Sequence, residues 1–221
     1  MYDSSEEDFT FKVPNRGLSG RQSARSTAVF HFCKRSFDLI FSVFLLPVIF
    51  LTAALLVVAN PFWNKGSLIF SQIRMGKDCK PFVAYKFRSM TEVPRIIRGA
   101  DDPLENSRIT KLGRLTRATR LDELPQILNV LKGDMSLIGP RPDYFHHARK
   151  YVRKVPGYRD RHSVRPGISG LAQTEVGYIH GMDDLVFKVR ADIFYINNAS
   201  IRLDVFIFWR TIVTIFGRMG V

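Results

Sequence analysis

Cysteine is scarce in this 221-residue chain. Only Cys33 and Cys79 occur, there is no CxxC pair, and none of the five His lies at zinc-ligand spacing from a Cys. A disulfide framework and a Cys/His zinc module are excluded, and both thiols read as reduced and cytoplasmic. Negative charge is also short: 20 Asp+Glu stand against 33 Lys+Arg, a formal +13. An excess of that size implies an anionic partner: nucleic acid, anionic lipid or a phosphorylated substrate. No apolar run follows a basic start near residue 1, so no cleavable signal peptide is expected there. No nucleic-acid recognition motif accompanies the cations, which favours lipid or substrate over nucleic acid.

Long apolar runs are equally rare, with one exception. From Phe37 to Ala59 the chain carries a single charge, Asp38. Residues 39–59 suffice, at ~1.5 Å per residue, to cross a ~30 Å hydrocarbon core. Pro47 falls near the middle, where it removes a backbone hydrogen bond and clashes with the carbonyl of Val43. Basic residues flank both sides, Lys34 and Arg35 before and Lys65, Arg74 and Lys77 after. If both positive flanks stay in the cytoplasm, both ends lie on one side. A spanning helix and a bent, re-entrant one therefore both fit. Residues 1–28 lack apolar periodicity and read as a mobile tail.

Beyond Asn60-Pro61 the period changes. Ser67–Arg74 and Pro81–Met90 read as two strands around Met75-Gly76-Lys77-Asp78, a hairpin that places Lys86 and Arg88 on one face. Residues 91–106 read as a loop. Ser107–Leu121 reads as an amphipathic helix with Arg108, Lys111, Arg114 and Arg117 along one stripe, suited to a lipid interface. Asp143–Val155 is expected to be helical, His162–Ala172 a loop, and Asp183–Asn197 and 201–217 helices. The last is capped by Ser200 and suits an interface or an ordinary core equally.

Between these segments lies Leu121-Asp122-Glu123-Leu124-Pro125. Leu124, Ile127, Leu128 and Leu131 recur at helical spacing, and Gly133 is a natural stop. Asp122 and Glu123 then fall at the N-cap or in the first turn, where the helix dipole favours ionised carboxylates and attracts phosphate. An acidic helix start with no chemistry is the plain alternative. Arg141, framed by Pro140 and Pro142, has a restricted backbone suited to a bidentate phosphate contact.

Several separated motifs resemble the bacterial sugar transferases, also called monotopic phosphoglycosyl transferases. They are Lys34-Arg35-Ser36-Phe37-Asp38, Tyr85-Lys86-Phe87-Arg88-Ser89-Met90, Leu121-Asp122-Glu123-Leu124-Pro125-Gln126, Lys132-Gly133-Asp134-Met135-Ser136, Gly139-Pro140-Arg141-Pro142 and Arg165-Pro166-Gly167-Ile168-Ser169-Gly170. Asp192, Tyr195 and Asn197-Asn198-Ala199-Ser200 match the last motif, and the likeness covers about residues 33–218. The resemblance implies transfer of a sugar-1-phosphate from a UDP-sugar to a membrane polyprenyl (undecaprenyl) phosphate, with release of UMP, at the start of exopolysaccharide, capsule or O-antigen-type synthesis. It implies Asp122 as nucleophile, Glu123 as catalytic carboxylate and Mg2+ ligand, and Lys86, Arg117, Arg141, Arg165 and Asp192 as substrate-binding residues. It further implies an α+β, mainly helical fold: a small β-hairpin, interfacial helices and a proline-broken re-entrant helix. The expected division is a tail at 1–33, the membrane helix at 34–62 and a cytoplasmic-face catalytic domain at 63–221, at the bacterial inner membrane. Anionic lipids and a homodimer are the further expected partners; nucleic acid is not. One departure is visible: where many relatives carry an Asn-Gly-Arg-like segment, Gln173 is followed by Thr174-Glu175-Val176-Gly177-Tyr178. A non-catalytic, basic membrane-surface protein is the competing function.

Overall fold

A computed structural model of the chain describes residues 24–93, 105–175 and 182–217. The expected tail up to residue 23, most of the 91–106 loop and residues 176–178 of the divergent segment lie outside the described residues. The coarse expectation holds: the chain is mainly helical, with two small sheets and one long apolar helix near its start.

That helix, α1, runs from Ala24 to Trp63, and its helical assignment continues through Pro47 and Pro61. The expected boundary at 33/34 therefore falls inside α1. Residues 28–63 are long and apolar enough to cross a membrane. Only one stripe of α1 is covered by the rest of the chain. Asp38, Ser42, Ile49, Thr52 and Leu56 are buried, whereas Ile40, Phe44, Phe50, Leu51, Leu55 and Val58 are exposed. A helix apolar on both faces and covered on one leaves a large hydrophobic surface without a partner among the described residues.

The hairpin forms as the alternation predicts. β1 (Ile69–Met75) pairs antiparallel with β2 (Pro81–Phe87), with Ile69 opposite Phe87 and Met75 opposite Pro81. Lys77–Cys79 makes a 3-10 turn in which Asp78 and Cys79 adopt positive φ. The amphipathic helix, α2, is shorter than expected, Lys111–Ala118, because Thr110 stops it: its side chain accepts from Gly113 N at 2.9 Å as an N-cap. Gly113 is required where it sits. A Cβ there would stand 1.8 Å from the Ser89 carbonyl oxygen, so only glycine lets α2 lie against that backbone.

α3 (Gln126–Lys132) ends at Gly133, whose φ of 92° closes the helix as predicted. Its buried face is Gln126, Ile127, Asn129 and Val130, rotated from the expected Leu124/Ile127/Leu128/Leu131 face; Leu128 is 39% exposed. Asn129 explains the rotation. Its Oδ1 accepts from Tyr85 N and its Nδ2 donates to Val83 O, so an asparagine clamps α3 to β2. α4 (Phe145–Lys154), α6 (Met182–Asn197) and α7 (Ile201–Phe216) lie close to the expected helices, and Ser200 caps α7 through Leu203 N. The expected 162–172 loop instead holds β4 (Gly167–Ser169), which pairs in parallel with β3 (Ser136–Ile138), followed by α5 (Leu171–Glu175). Three-residue strands carry no readable alternation, and Pro166 and Gly170 mask this one.

The main core joins α1, α3, β3 and α7 through Leu56, Ile127, Val130, Leu137 and Ile207. A second cluster under β1 and α4 holds Met75, Ala148, Tyr158, Leu185 and Val189. The candidate residues lie along the seam between the hairpin and α3.

Candidate active site

The Asp122-Glu123 pair sits in a turn of its own. Arg120 adopts the left-handed region (φ 57°), and residues Leu121–Glu123 form one 3-10 turn closed by Glu123 N to Arg120 O and Leu124 N to Leu121 O. Pro125 has no N–H with which to extend an α-helical ladder backwards, so α3 starts only at Gln126. The carboxylates are therefore not at the N-terminus of α3, and the dipole of that helix is not what holds them ionised. What holds them is burial among cations: Asp122 and Glu123 are 7% and 6% exposed.

Glu123 is gripped from two sides. Lys86 Nζ donates to its Oε1 at 2.6 Å, Arg141 Nη1 to its Oε2 at 3.2 Å, and Arg141 Nη2 to its Oε1. Burial alone would raise the Glu123 pKa, but Arg141 and Lys86 override it and hold the group well below the usual carboxylate range. For Asp122 the balance reverses. Burial, helped by the charge of Glu123, raises it above its ordinary value against the pull of Lys86, Arg117 and Arg141. Two adjacent carboxylates thus differ in basicity: one is locked ionised, and the other is the better base and nucleophile. Burial pushes the Lys86 ammonium down to about 8, with Glu123 opposing the shift and Arg141 reinforcing it. Arg117 approaches from α2 and donates from Nε to Ser89 Oγ at 2.9 Å.

Lys86, Asp122, Glu123 and Arg141 are thus brought together, with Arg117 in electrostatic reach. Arg165 stands apart: its Nε donates to Gly133 O at 2.8 Å. Asp192 is 1% exposed, accepts from Arg161 Nε at 2.8 Å and is ion-paired with Arg161 Nη2 at 2.7 Å.

Arg161 is a residue that sequence reasoning missed. Its side chain is fully buried between Asp192 and Asp143, Nη1 meeting Asp143 Oδ2 at 2.6 Å, while Nη2 donates to the Arg141 carbonyl at 2.8 Å. Lys188 Nζ and Tyr158 OH complete the coordination of Asp143 at 2.5 and 2.6 Å. Burial alone would raise Asp143, but Lys188 and Arg161 hold it far below the ordinary range. From the other side Arg74 Nη1 donates to Pro142 O at 2.6 Å, and burial together with Arg141 lowers Arg74 to about 10. The buried Arg161 and the half-buried Arg74 therefore hold two consecutive carbonyls, those of Arg141 and Pro142. One signal was available in the sequence: Lys188 and Asp192, at i and i+4, put opposite charges on one face of a largely apolar helix.

Next to the carboxylates opens an apolar cavity of about 190 Å3. Phe41 and Leu45 of α1, Phe208 and Ile212 of α7, and Ile127 line it, and Glu123 and Arg120 stand at its wall. A cluster of cations around two carboxylates and a hydrophobic cavity lined by the membrane-type helix thus share Glu123.

Residues 29–218 match the bacterial sugar transferase family. The chain belongs to that family. This bacterial sugar transferase is 42% identical over 197 residues to the UDP-N-acetylgalactosamine-undecaprenyl-phosphate N-acetylgalactosaminephosphotransferase of Aeromonas hydrophila, covering 87% of this chain and 45% of that one. It is 40% identical over 183 residues to the UDP-glucose:undecaprenyl-phosphate glucose-1-phosphate transferase of Klebsiella pneumoniae, covering 81% and 39%. With the exopolysaccharide production protein PSS of Rhizobium leguminosarum bv. phaseoli it shares 39% identity over 197 residues, covering 82% and 94%. The chain therefore spans less than half the length of the first two relatives and nearly all of the third. The family match includes α1 from residue 29 onward and the whole carboxylate–cation cluster.

Proposed function

We propose that this bacterial sugar transferase moves a sugar-1-phosphate from a UDP-sugar to a polyprenyl phosphate through an aspartyl-phosphosugar intermediate on Asp122, releasing UMP. The observation that carries this reading is the junction of two chemistries at one residue. Glu123 belongs both to the Lys86/Arg141 cluster, which suits a diphosphate, and to the wall of the apolar cavity, which suits an isoprenoid. The relatives named for undecaprenyl-phosphate and a nucleotide sugar support the same pair of substrates.

In this mechanism Arg141 and Lys86 turn from Glu123 toward the incoming phosphates and neutralise them, so that the Asp122 carboxylate can approach phosphorus. An Asp122 oxygen attacks the sugar-proximal phosphorus. The bond from that phosphorus to the bridging oxygen breaks, and UMP leaves with the electron pair. A phosphate oxygen of the lipid acceptor then attacks the same phosphorus and expels Asp122 as a carboxylate. Each attack inverts phosphorus, and no proton has to move to balance either step.

Mg2+ when bound supplies further positive charge to the diphosphate oxygens. Such ions are held by one or two carboxylates together with substrate phosphates. Among the described residues no cluster of three or more His, Cys, Asp or Glu occurs, and the Asp122-Glu123 pair fits that smaller requirement. Glu123 is the residue that would hold the ion. Glu123→Gln is therefore expected to lower turnover and flatten its dependence on Mg2+ concentration. A Mg2+ titration superimposable on that of the unaltered chain would remove Glu123 as ligand.

The Lys86 value of about 8 sets an alkaline limit. A lysine lowered by burial loses its charge as pH rises through that value, and the diphosphate then loses a cation. The kcat/KM profile, which reports the free enzyme, is expected to fall above about pH 8. Lys86→Arg keeps the charge at any accessible pH, so its limb should be absent even if its plateau is lower.

The membrane reading follows from where α1 is fastened. Near its start, Lys34 Nζ meets Asp204 at 2.6 Å and Arg35 donates to Val130 O and Leu131 O. Just past its end, Asn64 Nδ2 donates to Arg88 O at 2.8 Å. A helix that spanned a bilayer would carry those two ends to opposite sides, yet both are tied to one polar domain. This supports both ends of α1 lying on one side of the membrane, as re-entry requires; the turn at Pro47, the catalytic domain from residue 63 onward and the cytoplasmic face are parts of the same proposal. Labelling tags at residues 1 and 221 from each side of the inner membrane tests it, and opposite-side access would reject re-entry. A screen of UDP-sugars with undecaprenyl phosphate in nanodiscs, read as UMP, tests the reaction. Absence of UMP with every sugar while the chain remains folded would favour the membrane-surface binding alternative.

A further inference from the structure

A second cavity, of about 450 Å3, lies on the other side of β3 from the carboxylate cluster, where the first described turns of α1 meet β3 and the loop before β4. Four cations line it: Lys34 and Arg35 from α1, Lys77 from the β1–β2 turn and Arg165 from the loop. Two acids oppose them incompletely. Asp38 accepts the Leu137 amide at 3.0 Å, and Asp204 pairs with Lys34. Arg35 and Arg165 donate to neutral carbonyls, those of Val130, Leu131 and Gly133, and neither has an ion-pair partner among the described residues. The cavity therefore keeps a net positive charge.

Ser136 adds an independent observation. It lines the same cavity and is 2% exposed, and its hydroxyl has no hydrogen-bond partner. Its backbone N–H is taken by Pro166 O at 2.9 Å beside the β3–β4 pairing, and the unpartnered atom is the side-chain oxygen. Buried hydroxyls are almost always paired, and an unpaired donor in a cationic cavity points to an absent acceptor. A phosphate oxygen is the acceptor whose charge also satisfies Arg35, Lys77 and Arg165.

The position identifies the source of that phosphate. Lys34, Arg35 and Asp38 lie in the turn from which the apolar run of α1 starts, and Ile40 and Phe44, one and two turns further on, are exposed. A group held in the cavity is thus at the depth of lipid headgroups, with room for acyl chains along the open face of α1. We propose that this cavity binds the phosphodiester headgroup of an anionic membrane phospholipid, and so fixes the depth and tilt at which α1 enters the bilayer. The headgroup depth rests on the membrane placement of α1 argued above. The binding itself does not depend on the transfer reaction.

The test uses the full chain in detergent with dihexanoyl phosphatidylglycerol, followed by native mass spectrometry. One lipid per chain is expected, saturably, with dihexanoyl phosphatidylcholine retained far less. Ser136→Ala removes only the unpaired hydroxyl, so its melting temperature should not fall, yet its affinity should drop by about fivefold, the worth of one hydrogen bond. Lys77→Glu reverses an exposed charge and should drop it by more. Unchanged retention in both variants, or equal retention of phosphatidylcholine, overturns the proposal. Full displacement by millimolar inorganic phosphate overturns it too, because it assigns the cavity to the free anion. UMP release measured on the same preparations separates the two readings. Transfer without lipid retention overturns the headgroup site alone; retention without transfer overturns the proposed reaction and leaves the site standing.

Discussion

Asp122→Asn is expected to lower turnover by about a thousandfold or more while leaving the melting temperature unchanged or raised. Both halves follow from the site. Without the carboxylate no phosphosugar can form, and Glu123 is a poor substitute, because its cations hold its pKa well below the usual range and so make it the weaker nucleophile. The stability half follows from linkage. Asp122 has its folded pKa raised above the unfolded value, chiefly by burial. In the pH range just above the unfolded value the native state then binds more protons, so stability declines as pH rises and a penalty remains at neutrality. Asn removes the buried charge and with it that penalty. Turnover by enzyme assay and melting by calorimetry should therefore move in opposite directions or only the first should move. A large loss of stability would show that Asp122 is structural.

Arg161→Met is expected to produce the largest loss of stability, about 3–5 kcal/mol, because it strands the buried Asp192 carboxylate and weakens the pairing of Asp143. Asp192 is 1% exposed and loses its pairing with the Arg161 guanidinium; Asp143 loses one of its two cations and keeps Lys188. Burial would lower Arg161, but Asp192 and Asp143 raise it above its ordinary value, so the guanidinium that the substitution removes is charged at any accessible pH. The functional consequence passes through the Arg141 carbonyl, which Arg161 Nη2 holds. Chemical denaturation measures the first effect. In preparations that remain folded, KM for the nucleotide sugar should rise as Arg141 loses its placement. Combining Arg161→Met with Asp192→Asn should recover part of the stability, because one stranded charge is gone, whereas strictly additive losses would contradict the pairing.

What the sequence made legible was whatever has a period or a motif. The apolar run became α1, the alternation around Met75–Asp78 became the hairpin, and Lys86, Asp122, Glu123 and Arg141, distant in the chain, met in space. Local overrides were not legible. Pro125 and the left-handed Arg120 detach the Asp122 turn from α3, and Asn129 rotates α3 toward β2, effects carried by single residues with no period to reveal them. Thr110 shortened α2, although a Thr before a helical pattern is a recognisable cap. The buried network of Arg161, Asp143, Asp192 and Lys188 was hidden for another reason. Composition treats charge as surface, and only the three-dimensional path of α6 past the turn at Asp160–His162 brings those residues together. Arg165, expected beside the substrate, instead faces Gly133 and the second cavity.

The central claim is that Asp122 carries the phosphosugar before any lipid acceptor arrives. It is tested most directly by mixing the full chain with its UDP-sugar in detergent, without polyprenyl phosphate, and following UMP and intact mass together. A burst of about one UMP per active site should accompany a mass increase equal to one sugar phosphate, and peptide mapping should place it on Asp122. Adding undecaprenyl phosphate should then remove the adduct. UMP formed only when the acceptor is present, with no adduct at any time, would contradict the account and point to direct transfer between the two substrates.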